Sequence, residues 1–141
     1  MNKVNILDIS IEKLKSIPTP GGNIMHALKS SEDNFNGFGE AYFSWIEYNY
    51  IKAWKKHTKM IMNLVVPVGM IQLVFYEEHT HKFRSENIGF DRYMRLTVPP
   101  GIWFGFKGLY KKENLLLNIA SIPHDPKEVE HCDISAIKYN W

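Results

Sequence analysis

From Glu40 onward, short segments rich in apolar, β-branched and aromatic residues alternate with turns. Seven such segments follow one another: AYFSWIEY, YIKAWKK, MNLVVPVG, MIQLVFYEE, YMRLTVPPG, IWFGFKG and NLLLNIAS. Their spacing of roughly 8 to 12 residues, with Gly and Pro between them, is typical of a β-sandwich or a small barrel. The sequence therefore predicts an all-β domain.

Two of the connections have the composition of hairpin turns. PVGM, at residues 67–70, joins two apolar segments, and the charged GLYKKEN, at residues 108–114, joins IWFGF to LLLNI. Charged tip residues of this kind do not pack inside a core. Antiparallel sheets connected in this way can close into a jelly roll, which protects its edges and leaves a pocket at its mouth.

The first 40 residues are less regular. PTPGG at residues 18–22 and the polar run KSSEDNFNGFG at residues 29–39 indicate turns. NIMHALK, at residues 23–29, is a short strand candidate. DISIEKLKSI, at residues 8–17, places Ile9, Ile11 and Leu14 at a spacing that suits a helix of at most two turns.

Composition restricts the class of protein. A chain of 141 residues with 45% hydrophobic and 13% aromatic residues is expected to fold as one domain over residues 1–141. A formal charge of +2 does not indicate a nucleic-acid partner. The single Cys132 suits a reducing compartment, and no stretch reaches the roughly 20 apolar residues of a membrane span. We expect a cytoplasmic protein with neither membrane nor nucleic acid as a partner.

Several longer stretches resemble, in order, one enzyme family. VVPVGMIQLVFYEE, IGFDRYMRLTVPPGIWFGFKGL, LLLNIASIPHDPKEV and DISAIKYNW are similar to the second half of the dTDP-4-dehydrorhamnose 3,5-epimerases. The resemblance covers residues 37–141, and its most specific parts are LTVPPG and the closing D-x-x-A-I-x-x-x-W. It implies a cupin-type double-stranded β-helix, a jelly roll of antiparallel sheets, with a short helix or turn at the N-terminus.

The resemblance also implies an activity. Members of the family are isomerases that act on a dTDP-linked 4-keto-6-deoxyhexose in surface polysaccharide synthesis, usually as homodimers and without a metal or other cofactor. The 4-keto group acidifies the protons at C3 and C5, because the resulting carbanion is delocalised as an enolate. One group removes a proton, another returns one on the opposite face, and a cation or donor stabilises the enolate oxygen. The family uses a His backed by an Asp, a Tyr and a Lys.

Only part of this set carries over to the chain. Asp133, in HCDISAI, falls at the carboxylate that backs the His, whereas Lys55 falls at the His and Lys52 at a family Arg. His57 lies two residues further along. The implied catalytic set is therefore Lys55, His57 and Asp133, with Asp133 either orienting His57 or forming an ion pair with Lys55.

Three other family positions hold different side chains here. The family Lys meets Met62 or a neighbour, the proton-returning Tyr meets Asn118, and a His after the PPG turn meets Phe104. A catalytically impaired binding module that keeps the nucleotide-sugar pocket, or a partner protein of a sugar enzyme, is therefore an alternative function. A ketoisomerase, which moves one proton between neighbouring carbons, is a further one.

The stretch IKAWKKHTKM, residues 51–60, contains both candidate bases. In a strand, residues two apart share a face, so Lys55, His57 and Lys59 are expected to project together, while Trp54 and Lys56 point the other way. If that face is interior, desolvation and a neighbouring cation would lower the pKa of a lysine enough for it to act as a base. The alternative is an edge strand with solvated lysines that discourage aggregation.

Other polar and aromatic side chains are candidates for substrate contacts. Glu40, Tyr42 and Ser44 alternate onto one face, which is either a sugar-binding or a solvated face. Trp103 and Phe104 can form a stacking platform or part of the core. The predicted substrate-binding set comprises Lys52, Glu40, Tyr42, Asn118, Trp103 and Lys59.

Two histidine-containing segments receive structural interpretations. EEHTH, residues 77–81, contains suitable metal ligands, but it falls at a polar strand end where we expect a hairpin tip, so no metal site is predicted. His124 lies among turn formers in IPHDPKEV and is interpreted as structural, with a position at the pocket mouth as the alternative.

Overall fold

The computed structural model describes residues 3–141. Within them the chain forms twelve strands: β1 (Ser10–Lys13), β2 (Ser16–Ile17), β3 (Ile24–Met25), β4 (Glu40–Trp45), β5 (Ile51–His57), β6 (Met62–Val68), β7 (Met70–Glu77), β8 (Lys82–Gly89), β9 (Met94–Val98), β10 (Trp103–Gly108), β11 (Leu115–Ala120) and β12 (Val129–His131). Short 3₁₀ helices lie at Ile6–Asp8 and Ile134–Ala136. These residues include no helix with the length and apolar character needed to cross a bilayer.

Two antiparallel five-stranded sheets face each other. The first sheet has the order β1-β9-β6-β11-β4 and the second the order β12-β5-β10-β7-β8, while β2 and β3 form a small separate ribbon. This arrangement confirms the predicted antiparallel jelly roll. Both predicted hairpins are present: β6 turns into β7 at Gly69, and β10 is followed by β11 after residues 109–114.

Gly69 shows why the first hairpin needs its glycine. Its φ is 79°, and a Cβ added there would lie 2.1 Å from the backbone oxygen of Glu113. The left-handed conformation and the close approach of another turn both exclude a larger residue. Asn114 fixes the two turns together, because its Oδ1 accepts from the N–H groups of Met70 and Tyr110, each at 3.0 Å.

The main core fills the space between the sheets. Leu64 and Val66 of β6, Leu73 and Phe75 of β7 and Leu96 of β9 are all at most 1% exposed. Each alternates with residues on the other face of its strand, as expected for a sheet with one face toward a core. This apolar layer packs the two sheets against each other.

A second apolar cluster covers the outer face of the second sheet. Trp54, Val74 and Trp103 are buried there beneath the C-terminal segment, and the Trp54 and Trp141 rings lie 5.3 Å apart. Gly105 makes this contact possible, because an added Cβ would lie 3.0 Å from the Trp141 ring. The C-terminal residues are therefore part of the folded domain.

The N-terminal helix predicted at residues 8–17 is wrong. These residues form β1 and β2 instead, preceded by the 3₁₀ helix at Ile6–Asp8. The reason is tertiary: β1 pairs with the otherwise open edge of β9, and the buried Arg95 of β9 forms an ion pair with Glu12 of β1 at 3.0 Å. Strand pairing of this kind overrides a weak local helical preference.

Two further strands, β8 and β12, were not predicted. β8 follows the hairpin tip expected at EEHTH. Its sequence KFRSENIG is too polar to indicate a strand, because only one face of this edge strand is covered. β12 is short and pairs with β5. Because of β12, β5 is not an edge strand, so the interpretation of IKAWKKHTKM as a solvated edge is wrong.

Candidate functional site

A cavity of about 470 Å³ opens between the two sheets. Its apolar wall comes from β5, β6, β10 and β11 and from the segment before β6, through Ile51, Met60, Met62, Leu64, Phe104, Phe106 and Leu116. Polar side chains lie among them on both sheets: Tyr42, Ser44, Lys52, Lys55, His57, Asn118, His124 and His131. An apolar pocket with a few convergent polar groups is the usual form of a small-molecule site.

His57 and Glu128 form a buried pair in this cavity. His57 is the last residue of β5, and Glu128 immediately precedes β12, which pairs with β5. The His57 Nδ1 and a Glu128 carboxylate oxygen are 2.5 Å apart, and the two residues are 6% and 2% exposed. Phe104 stacks on the imidazole with 5.5 Å between ring centroids and 16° between planes. The imidazole is thus held in one orientation.

The Glu128 carboxylate is fully engaged. Its second oxygen accepts hydrogen bonds from the backbone N–H groups of Lys59 and Met60, each at 3.1 Å. Burial alone would raise the pKa of Glu128, but the hydrogen bonds from His57, Lys59 and Met60 outweigh it and hold the pKa below its ordinary value. Glu128 is therefore a carboxylate at neutral pH.

This geometry fixes the chemistry available to His57. Because Glu128 can only accept, Nδ1 of His57 carries a hydrogen, so the neutral form of the imidazole has its lone pair on Nε2. Nε2 has no hydrogen-bond partner among residues 3–141, and His57 lines the cavity. A neutral imidazole held by a carboxylate is an established arrangement for a general base.

Two lysines of β5 also line the cavity. Lys52 donates to the backbone oxygen of Trp45 at 2.7 Å, whereas Lys55 has no hydrogen bond or ion pair within the described part of the chain. They share the cavity although they are three residues apart, because the pairing with β10 skips a residue between Lys55 and Ala53. Such a bulge resets the alternation of a strand.

Lys56 points to the other face, as predicted. It forms ion pairs with Glu130 at 3.1 Å and Glu78 at 3.4 Å, and lies 5.0 Å from the Trp103 ring centroid. Burial acts to lower the pKa of Lys56, but these two carboxylates raise it above its ordinary value. Lys56 therefore remains charged and outside the cavity.

The first sheet contributes polar groups from the opposite wall. Tyr42 and Ser44 of β4 line the cavity, and Tyr42 pairs directly with Asn118 of β11. The Asn118 Nδ2 donates to the Tyr42 hydroxyl at 3.1 Å and lies 3.8 Å from the Met60 sulfur. Asn118 is 2% exposed, so its amide is a fixed part of the wall.

Four predicted site residues lie elsewhere. Asp133 does not pair with His57, whose partner is Glu128: it caps the 3₁₀ helix at Ile134–Ala136 and accepts from the Ser135 N–H at 3.0 Å and from the Ser135 hydroxyl. Trp103 faces the outer cluster, because it is adjacent in sequence to the inward-facing Phe104. Lys59 follows the end of β5, and Glu40 begins β4, and neither lines the cavity.

Two histidine interpretations can be compared with the structure. His124, in the connection from β11 to β12, is exposed and lines the cavity, which agrees with the alternative position at the pocket mouth rather than with a structural role. In EEHTH, Glu77 is buried and accepts from the Ile6 N–H at 2.7 Å and from the Thr80 hydroxyl. Residues 3–141 contain no group of three His, Cys, Asp or Glu side chains placed to hold a metal ion.

Glu128 is the site residue that the sequence did not reveal. It stands in PKEVE among exposed residues and is 71 positions from His57. Only the pairing of β12 with β5 brings the two together. One signal in the sequence could have indicated it. A His on an inward face is usually paired with an acceptor, and several acidic residues lie between positions 125 and 133.

Comparisons with known proteins agree with the fold. No family model matches the chain. The spore coat polysaccharide biosynthesis protein SpsL of Bacillus subtilis (strain 168) is 23% identical over 142 aligned positions, which cover 94% of each chain.

Two solved structures are similar over nearly the whole chain. The dTDP sugar isomerase of Desulfovibrio desulfuricans G20 is 32% identical, with a TM-score of 0.90 over 95% of this chain and 90% of that one. The dTDP-4-dehydrorhamnose 3,5-epimerase of Sulfolobus tokodaii is 16% identical, with a TM-score of 0.82 over 98% and 85%. These similarities confirm the resemblance noted in the sequence.

Proposed function

The chain belongs to the family of dTDP-sugar isomerases and 3,5-epimerases, and on this premise we propose that it is an isomerase of a dTDP-linked 4-keto-6-deoxyhexose in surface polysaccharide synthesis. The observation that carries the proposal is the buried His57–Glu128 pair in a cavity between the sheets. Removal of a proton next to a keto group requires a positioned base, and this pair provides one.

The reaction begins with the proton at C3 or C5 of the sugar. His57 Nε2 takes this proton while the electron pair of the C–H bond moves into the enolate. The Glu128 carboxylate stabilises the imidazolium that forms, at a site from which most water is excluded. A positioned general base contributes roughly 10²–10⁴ in rate.

The two cavity lysines complete the binding site in this proposal. The family resemblance places a Lys at Met62 or a neighbour, and residues 61–64 have no cationic side chain, so in this proposal the cation for the enolate oxygen comes from another strand. Lys55 shares the cavity with His57 and has no competing partner in residues 3–141. Lys52, nearer the start of β5, is assigned to the diphosphate, as a Lys is suited to phosphate oxygens.

The binding-module alternative lacks support from the geometry. It followed from the assignment of Lys55 to the position of the family His, which suggested that the base had been lost. His57, two residues further, has the buried carboxylate partner that a base requires. A protein that only bound the sugar would have no need for an oriented, otherwise unpaired imidazole nitrogen in its cavity.

Exchange of substrate protons with solvent tests this function. We expect the protein to introduce deuterium at C3 or C5 of dTDP-4-keto-6-deoxyglucose in D₂O, followed by NMR, and to prefer it over the GDP and UDP counterparts. Deuterium at C4 together with a shift of the keto group from C4 to C3 would identify a ketoisomerase instead. Binding of all three sugars without exchange at any carbon would contradict an enzymatic function.

The quaternary structure in this proposal is a homodimer. β4 is the open edge of the first sheet. On its outer face Phe43 and Trp45 are 63% and 58% exposed, and they pair with the half-buried Leu117 and Leu115 of β11. The outward-facing residues of β4, Ala41, Phe43 and Trp45, carry no charge. An exposed aromatic face of this kind is normally covered, and we assign a second copy of the chain to it.

Light scattering coupled to gel filtration tests the dimer. We expect a mass of about twice the 16.5 kDa of the chain, and we expect Phe43→Lys to shift it toward that of the monomer by placing a charge in the interface. Phe90→Lys is the matched control, because Phe90 is 62% exposed and lies on the turn after β8. A monomeric wild-type protein at micromolar concentration would contradict the proposal.

The cytoplasm is the proposed location. The free thiol of Cys132 suits a reducing compartment. Burial, followed by the nearby Asp133 and Glu78 carboxylates, raises the pKa of this thiol, so it is protonated and unreactive at neutral pH.

A further inference from the structure

Tyr42 reaches the cavity from the wall that faces His57. Tyr42 belongs to β4 of the first sheet, and His57 belongs to β5 of the second. Both side chains line the same cavity. A planar sugar enolate bound between the sheets would therefore have the imidazole on one side and the phenol on the other.

Asn118 holds the phenol in place. It lies directly opposite Tyr42 in the β4–β11 register, and its Nδ2 donates to the Tyr42 hydroxyl oxygen at 3.1 Å. Because the amide donates, the hydroxyl hydrogen of Tyr42 is not used in this bond and can be donated into the cavity. Asn118 is buried, and its Oδ1 has no hydrogen-bond partner among residues 3–141. A ligand hydroxyl can supply the missing donor.

The resemblance to the epimerases placed their proton-returning Tyr at Asn118. The structure shows that a tyrosine hydroxyl is nevertheless present next to this position, supplied by the neighbouring strand. Tyr42 is 41% exposed, so its hydroxyl can exchange protons with water at the cavity mouth. The site thus has an acid on the face opposite the base, although the tyrosine and the strand differ from those of the family pattern.

We propose that Tyr42 returns the proton to the enolate on the face opposite His57, and that Asn118 is the residue that positions Tyr42 for this step. This inference rests on the proposed epimerase-type function. His57 takes a proton as the C–H bond breaks and the electron pair enters the enolate. The Tyr42 O–H bond then breaks and its proton forms a C–H bond on the other face. The phenolate regains a proton from water and the imidazolium loses one to water, so no other reactant is needed.

The test separates proton removal from inversion. Wild-type protein and Tyr42→Phe are incubated with dTDP-4-keto-6-deoxyglucose in D₂O, and NMR measures deuterium incorporation and configuration at C3 and C5 separately. We expect Tyr42→Phe to exchange deuterium with retention of configuration at a rate within a few-fold of the wild type. The reason is that His57 can return a deuteron to the face from which it took the proton. Inversion is expected to fall by roughly 10²–10⁴-fold. Tyr110→Phe, a change in the turn after β10 with similar exposure, is the control and keeps both rates.

Asn118→Leu tests the positioning role. The substitution keeps a side chain of similar size but removes the donor to Tyr42. The ratio of the inversion rate to the exchange rate is therefore expected to fall by roughly 10-fold, a typical loss when a residue that orients a functional group is replaced. A purely structural role would lower both rates together and leave the ratio unchanged, which would overturn the assignment of Asn118.

The outcomes distinguish this inference from the function on which it rests. Absence of exchange in the wild-type protein would refute the proposed function. Exchange and inversion in the wild type, with unchanged inversion in Tyr42→Phe, would overturn the role of Tyr42 alone. Wild-type exchange without inversion at either carbon would also overturn it, because no second face would then be protonated.

Discussion

Replacing His57 with asparagine is expected to slow deuterium exchange into dTDP-4-keto-6-deoxyglucose by roughly 10²–10⁴-fold, the usual contribution of a positioned general base. Asparagine retains a hydrogen-bond donor for Glu128 but provides no basic nitrogen. The effect should appear in kcat rather than in the affinity for the nucleotide sugar, because proton removal, not binding, depends on the imidazole.

A histidine outside the cavity provides the matched control. His79 lies at the tip of the β7–β8 hairpin, and His79→Asn is expected to leave exchange within about two-fold, as is usual for surface substitutions away from a site. Lys55→Ala distinguishes the two candidate bases of β5. If His57→Asn exchanges normally and Lys55→Ala does not, Lys55 is the base and the role assigned to the His57–Glu128 pair is wrong.

Replacing Glu128 with glutamine is expected to reduce exchange by about 100-fold or more, by forcing the wrong tautomer of His57. The N–H groups of Lys59 and Met60 both point to one carboxylate oxygen and require an acceptor there. The glutamine carbonyl would satisfy them, which turns the amide NH₂ toward His57 Nδ1. Nδ1 would then have to accept, so the ring hydrogen would move to Nε2 and block proton uptake.

Asp133→Asn, unlike Glu128→Gln, is expected to have little effect on exchange. Asp133 caps a 3₁₀ helix and does not line the cavity, so this substitution should change exchange by less than about two-fold. ¹⁵N NMR of the His57 ring would report the tautomer directly in each variant. Exchange lost in Asp133→Asn but kept in Glu128→Gln would restore the carboxylate assignment implied by the family resemblance and contradict the geometry described above.

The stability of the Glu128 variants separates the chemical from the structural role of the carboxylate. Glu128→Ala leaves three donors unpaired, two of them buried on His57 and Met60 and one part-buried on Lys59, and is expected to cost about 3–5 kcal/mol of unfolding free energy. Glu128→Gln keeps partners for them and should cost much less in urea unfolding. Its loss of activity would therefore not be a consequence of unfolding.

Local patterns in the sequence were sufficient for most of the fold. The alternation of apolar residues in segments such as MIQLVFYEE and the turn residues around Gly69 depend on near neighbours in the chain, so strands and hairpins could be located. The same local reasoning failed where a long-range contact decided the outcome. Residues 10–13 form a strand because β9 offers an open edge, and residues 16–17 pair with β3. β8 was not predicted because its exposed face is polar.

Part of the cavity lining could also be predicted from local patterns in the sequence. His57, Lys55, Lys52, Tyr42 and Asn118 all line the cavity, since residues on the inner face of a jelly roll can be identified from alternation and resemblance. Trp103 was placed on the wrong face. It is next to Phe104, and a one-residue difference reverses the direction of a side chain in a strand.

By itself the sequence determined an all-β jelly roll of the dTDP-sugar isomerase and epimerase family, and most of the strands that line its cavity. Only the tertiary structure decided which groups meet there: Glu128 rather than Asp133 against His57, and Tyr42 against Asn118. The physical reason is distance along the chain. Strand formation depends on neighbouring residues, whereas these pairs join positions 71 and 76 residues apart through strand pairings that no local pattern encodes.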